Sequence, residues 1–172
     1  MEKLEDILVA QLVNETKRRI IEEGINRIRK CLGALDMHEI WFRPNENSNS
    51  VGNLVLHLCG NVRQWAITTF SGITDSRHRQ QEFDERGPLP VSELLQLLDQ
   101  LESDLNPVLD NLDAKAIAGS YQVQGFNETG TAILVHISEH FSYHVGQITY
   151  FVKMKKDMDI GYYADQDLDS TT

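Results

Sequence analysis

The sequence predicts an all-α protein, a four-helix bundle in a single domain. Three observations predict it. Four long stretches carry apolar residues that recur every three or four positions, and the segments between them are rich in Gly, Pro, Asn and Ser. At 172 residues the chain has the size of one domain, large enough to bury a core without disulfide staples. No repeat or break in composition marks a second domain, so the bundle is expected over residues 1–164, with the acidic end 165–172 as a frayed tail.

The first helix is expected from about Leu4 to Leu35, with Ile7, Leu8, Leu12, Ile20, Ile21, Ile28 and Leu32 on its apolar side and Gly24 as a weak point. Residues 36–48 read as irregular, held by Pro44 and a run of Asn and Ser. Ser48, Asn49 and Ser50 are each candidates to cap a second helix that runs to about Phe70, because a side-chain oxygen there can accept from the free N–H groups of the first turn. Val51, Leu54, Val55, Leu58, Val62 and Trp65 form its apolar stripe. His57 lies at the stripe's edge, and at about 100° per residue Asn53, Asn61 and Gln64 fall within about 40° of it.

A charged loop follows Gly72, from Asp75 through Arg77, His78, Arg79 and Glu82 to the breakers Gly87-Pro88-Leu89-Pro90, long enough to cover part of the bundle. The third helix, from near Ser92, carries a heptad-like seam of Leu94, Leu95, Leu98, Leu101, Leu105, Leu109 and Leu112, with Pro107 as a kink. Residues 113–130 read as a connection with one short strand. The fourth helix is expected from Glu128 or Thr129 to about Met154, its inward side running through Ile133, Ile137, Ile148 and Phe151.

Composition narrows the function. With 16 Lys+Arg against 26 Asp+Glu the net charge is -10, the wrong sign for neutralising the phosphates of nucleic acid or an anionic membrane. Cys31 and Cys59 are the only cysteines and form no Cys-x-x-Cys pair, as expected in a reducing compartment. The N-terminus carries acids where a signal peptide needs a basic region and an apolar run, and no segment reaches the length of a membrane span, so a cytoplasmic protein is expected.

One chemical feature stands out. His136, His140 and His144, half of the six histidines, recur every four residues on the fourth helix and so stack on one face. A single histidine there is ordinarily a structural residue bonded to a carbonyl or water, since an unpaired buried polar group costs about 1–3 kcal/mol. Two imidazoles one turn apart can instead converge on a divalent metal about 2.0–2.1 Å away. Such a pair needs a third ligand from elsewhere, and among the other histidines His57 is best placed. His38 and His78 sit in loop or helix-end contexts that suit solvated imidazoles.

Two blocks, Asn49-Ser50-Val51-Gly52-Asn53-Leu54-Val55-Leu56-His57-Leu58-Cys59-Gly60-Asn61 and His136-Ile137-Ser138-Glu139-His140-Phe141-Ser142-Tyr143-His144-Val145-Gly146-Gln147-Ile148, with Trp41-Phe42-Arg43-Pro44 and Arg79-Gln80-Gln81-Glu82-Phe83, resemble the DinB/YfiT-like superfamily of metal-binding four-helix bundles. The resemblance covers most of the chain and points to an uncharacterised branch. It implies His57, His140 and His144 as metal ligands and places His136 in the pocket wall. It also implies a homodimer, and chemistry similar to that of bacillithiol- or mycothiol-dependent transferases and isomerases or of loosely described hydrolases.

Three neutral imidazoles leave the charge of a divalent ion uncancelled and coordination positions open, the pattern of a catalytic site. Zinc or nickel suits this donor set first, and iron or manganese also fits if waters complete an octahedron. The expected activity is transfer of a low-molecular-weight thiol to a small electrophile. The alternatives are a hydrolase using metal-activated water and a non-catalytic stress-related bundle tied by its metal. Asn61 and Gln147 are candidate partners of the ligands or substrate. Arg77 and Arg79 are candidate clamps for a substrate carboxylate. Glu139 is about 100° off the ligand face and reads as solvated, and Cys59 as a buried, inert thiol.

Overall fold

A computed structural model describes residues 3–87 and 89–171; Met1, Glu2, Pro88 and Thr172, which fall in the expected bundle end, breaker cluster and tail, lie outside the described residues. The first long rod is continuous. It consists of α1 (Leu4–Lys17), a π-helical stretch over Arg18–Ile25, and α2 (Asn26–Ala34). Gly24 does not interrupt it. The bare Cα leaves room for the fourth helix, since a Cβ there would come within 2.7 Å of the Phe141 ring.

The segment expected to be irregular contains a short helix, α3 (Met37–Ile40), nucleated by a capping box in which Asp36 Oδ1 accepts from the Glu39 N–H while Glu39 Oε2 accepts from the Asp36 N–H. Of the three candidate caps for α4 (Val51–Val62), Ser50 serves. Its Oγ accepts from the Asn53 N–H, and Asn53 Oδ1 accepts from the Ser50 N–H. The rod continues as a π-helical stretch, Arg63–Thr68, and α5 (Thr69–Ser71), and ends at Gly72, whose φ of 65° suits a residue without Cβ.

The charged loop also holds a helix that sequence reading missed, α6 (Arg79–Asp84), packed against α4. α7 (Val91–Asp110) accommodates Pro107 within it, and Leu94, Leu98, Leu101, Leu105 and Leu109 are buried while Leu95 and Leu112 stay at the core's edge. Where one strand was expected, α8 (Ala114–Ala118) precedes an antiparallel hairpin of β1 (Ser120–Val123) and β2 (Phe126–Thr129). Its two-residue turn places Gln124 and Gly125 at φ of 50° and 85°, the left-handed pair that matches strand twist. Thr129 caps α9 (Gly130–Lys156), its hydroxyl accepting from the Ala132 N–H.

α9 packs against α1, α2 and α4, and α4 packs against α6, α7 and α9, so α4 and α9 face one another across an all-α bundle. After α9 the chain folds back. Ile160 is buried, and the Tyr162 hydroxyl lies 2.7 Å from Thr149 Oγ1 and 3.2 Å from Cys31 Sγ. Residues 165–171 are exposed. No described helix is long and apolar enough to cross a membrane.

Candidate metal centre

The cap at Ser50 sets where α4 begins, and with it the face on which His57 emerges. That face meets α9 at His140 and His144. His57 Nε2 lies 2.9 Å from His140 Nε2, and one ring nitrogen from each of the three histidines falls within 4.8 Å of the others. Ligands about 2.0–2.1 Å from a tetrahedral ion stand about 3.3 Å apart, so the set needs only side-chain adjustment to fit one.

The partners of the outer nitrogens favour inward lone pairs. His57 Nδ1 is 3.0 Å from Glu82 Oε2 and 3.1 Å from Arg77 Nη2; since a carboxylate only accepts, pairing with Glu82 puts the proton on Nδ1 and leaves Nε2 as the free base. His144 Nδ1 likewise donates to Gln147 Oε1 at 2.7 Å, freeing its Nε2. Burial, with the neighbouring His144, His57 and His136, pushes the pKa of His140 down to about 3, and burial also lowers that of His144. Both therefore present neutral imidazoles at neutral pH, the form a metal binds.

Glu82 is held from behind. Arg77 Nε donates to Glu82 Oε1 and Nη2 to Oε2, both at 2.7 Å, while Nη1 donates to Gln64 Oε1 at 2.9 Å. The pair is enclosed, with Arg77 6% and Glu82 12% exposed. Burial works to raise the Glu82 pKa, but the Arg77 and His57 hydrogen bonds outweigh it and hold the carboxyl below its ordinary value. The fork lies directly on Gly60, where a Cβ would collide with Glu82 Oε1. Phe83 packs beside the His57 ring at 4.7 Å, and Arg79 stacks on Phe83 at 4.8 Å.

His136 stands outside the cluster. It is stacked between Trp65, with centroids 3.7 Å apart, and His140, at 5.3 Å. Asn61, 3% exposed, reaches His136 Nε2 with Nδ2 at 3.4 Å. Glu139, His38 and His78 are exposed, and burial raises the Cys59 thiol to about 12, where it is inert. Glu82, Gly60 and Phe83 were given no role at this site from the sequence, and Gln64 was placed only on the polar strip beside His57. The only signal was position, since Gly60, Glu82 and Phe83 belong to blocks that carried the resemblance.

A family model described as "Protein of unknown function (DUF1572)" matches residues 8–163. No curated protein matches the chain. Among solved structures the fold is similar to a DinB-like protein from Bacillus subtilis, with a TM-score of 0.63 and 17% identity over 87% of this chain and 94% of that one. A DinB-like protein from Bacillus cereus gives 0.60 and 13% over 81% and 89%. A conserved protein from Enterococcus faecalis gives 0.67 and 14% over 92% and 100%. The chain thus belongs to the DUF1572 family of proteins of unknown function, built on a DinB-like helical bundle.

Proposed function

We propose that the protein is a divalent-metal-dependent enzyme in which His57, His140 and His144 hold the ion and a low-molecular-weight thiol is activated for transfer to a small electrophile. The supporting observation is the convergence of three imidazoles whose outer nitrogens, at His57 and His144, are engaged so that the inner ones are free. Three neutral ligands leave coordination positions open, and an ion bound there would supply the Lewis acidity that lowers a thiol's pKa.

The protein's own residues complete the reading. Glu82 and Arg77 keep the His57 ring fixed, Gln147 fixes His144, and Trp65 with His136 walls off one flank of His140. Arg77 is committed to Glu82 and Gln64, which leaves Arg79 as the arginine able to meet a substrate carboxylate. Leu4, Ile7 and Leu8 expose an apolar face on α1 that a second copy would cover in a homodimer. Cobalt substitution tests the reaction class. Adding millimolar 2-mercaptoethanol to the cobalt form should produce a thiolate-to-cobalt charge-transfer band. An unchanged spectrum with cobalt demonstrably bound would rule out thiol activation and leave water as the nucleophile.

A further inference from the structure

The seam between α4 and α9 does not end at the histidines. One turn before His57 on α4 stands Leu54, and one turn beyond His144 on α9 stands Gln147. Both line a cleft of about 320 Å³, a volume typical of small-molecule sites. A helical turn rises about 5.4 Å, so the near wall of this cleft lies about one turn along the seam from the metal centre. Gln147 belongs to both: its Oε1 accepts from His144 Nδ1 at 2.7 Å while its side chain borders the cleft.

No charged side chain lines the cleft. All ten residues that line it are neutral, in a chain where 24% of residues are charged. Its floor is apolar, from Val51, Leu54 and Ile148. Its rim is polar and aromatic, with Asn47, Ser48, Tyr150 and Phe151. The guanidinium of Arg43 sits behind the lining residue Asn49, donating to its Oδ1 at 3.0 Å, and is also held by Phe83 O at 3.1 Å and Asn53 Oδ1 at 3.3 Å. A charged group entering here would lose hydration among lining side chains that carry no opposite charge, whereas an amide or hydroxyl can pair with the side-chain amides and hydroxyls of the rim.

We propose that this cleft receives an uncharged, amide- or hydroxyl-bearing arm of the thiol, so that the enzyme selects neutral polar thiols over acidic or basic ones. This inference rests on the metal-dependent thiol chemistry proposed above. It also opposes a second route, since a carboxylate arm would turn the other way, past His57 toward Arg79.

The test uses the full-length cobalt form titrated with three small thiols that share a two-carbon spacer, N-acetylcysteamine, 3-mercaptopropionate and cysteamine, followed by the charge-transfer band. N-acetylcysteamine should bind about tenfold or more tightly than either charged thiol, because neither charge finds a partner in the cleft. Tyr150→Ala and Asn47→Asp change exposed rim residues and should leave the fold and cobalt binding intact. The first should weaken N-acetylcysteamine alone, and the second should shift preference toward cysteamine. Equal affinities, or tightest binding of 3-mercaptopropionate, would overturn the cleft assignment while leaving thiol activation standing. Absence of a band with all three thiols would overturn both.

Discussion

Glu82 Oε2 lies 3.0 Å from Nδ1 of His57, across 25 residues of sequence, and joins α6 to the one metal-ligand candidate that α9 does not supply. A carboxylate on the far nitrogen of a ligating histidine fixes its tautomer and raises its basicity. Glu82→Ala should therefore weaken divalent-metal affinity by about 10–100-fold, with Glu82→Gln, which keeps an acceptor oxygen, falling between. Chelator competition on the purified proteins gives the constants, and circular dichroism of the metal-free forms checks that the bundle is retained. An unchanged affinity in Glu82→Ala would remove Glu82 from the site.

Gly60→Ala reaches the same point without touching a charge. The added methyl occupies the place of Glu82 Oε1, and since that atom ends a flexible side chain, the carboxylate moves and the backbone stays. The variant should lose metal affinity in the same direction as Glu82→Ala while its urea midpoint changes little. A large loss of stability with unchanged metal affinity would show that Gly60 serves packing only.

Gly24→Ala makes the opposite case. An alanine is favoured over glycine in a helix by about 1 kcal/mol. Here its methyl would sit 2.7 Å from two carbons of the buried Phe141 ring and 2.9 Å from the Arg19 carbonyl, and overpacking of that kind costs about 1–3 kcal/mol. The variant should be less stable than the parent in urea unfolding of the metal-free protein. A more stable variant would mean that Phe141 repacks freely.

Much of the fold was legible because helical spacing of apolar residues is a local signal. The four long helices, the cap at the start of α4 and the leucine seam of α7 all follow from it. The misses were short elements decided by tertiary contact. α6 carries no apolar stripe of its own and forms where Arg77 and Glu82 are drawn onto Gly60 and His57. The second strand of the hairpin depends on Gln124 in a left-handed conformation, which the residue type does not announce. For the site, the spacing on α9 and His57 on α4 were visible, whereas Glu82 was hidden in a charged loop whose residues usually face water.

Alkaline pH should destabilise the protein through its thiols and Tyr162. Burial raises the Cys59 thiol from its ordinary 9.0 to about 12, and also raises Cys31 and the Tyr162 hydroxyl. A folded-state pKa above the unfolded value means that the unfolded chain releases its proton first. The stability these groups contribute is complete below pH 9.0 and is lost as pH rises from there toward 12 for Cys59. The urea midpoint should fall above pH 9 and fall less steeply in Cys59→Val, and iodoacetamide at pH 8 should label neither thiol until the chain is unfolded. Rapid native labelling of Cys59 would contradict its burial.

The most direct test is the metal content of tag-free protein, measured by elemental analysis alongside His57→Ala and His140→Ala. One divalent ion per chain in the parent, lost or nearly lost in both variants while circular dichroism shows the helices intact, is the expected result. A parent without stoichiometric metal, or variants that retain it in full, would contradict the three-histidine centre.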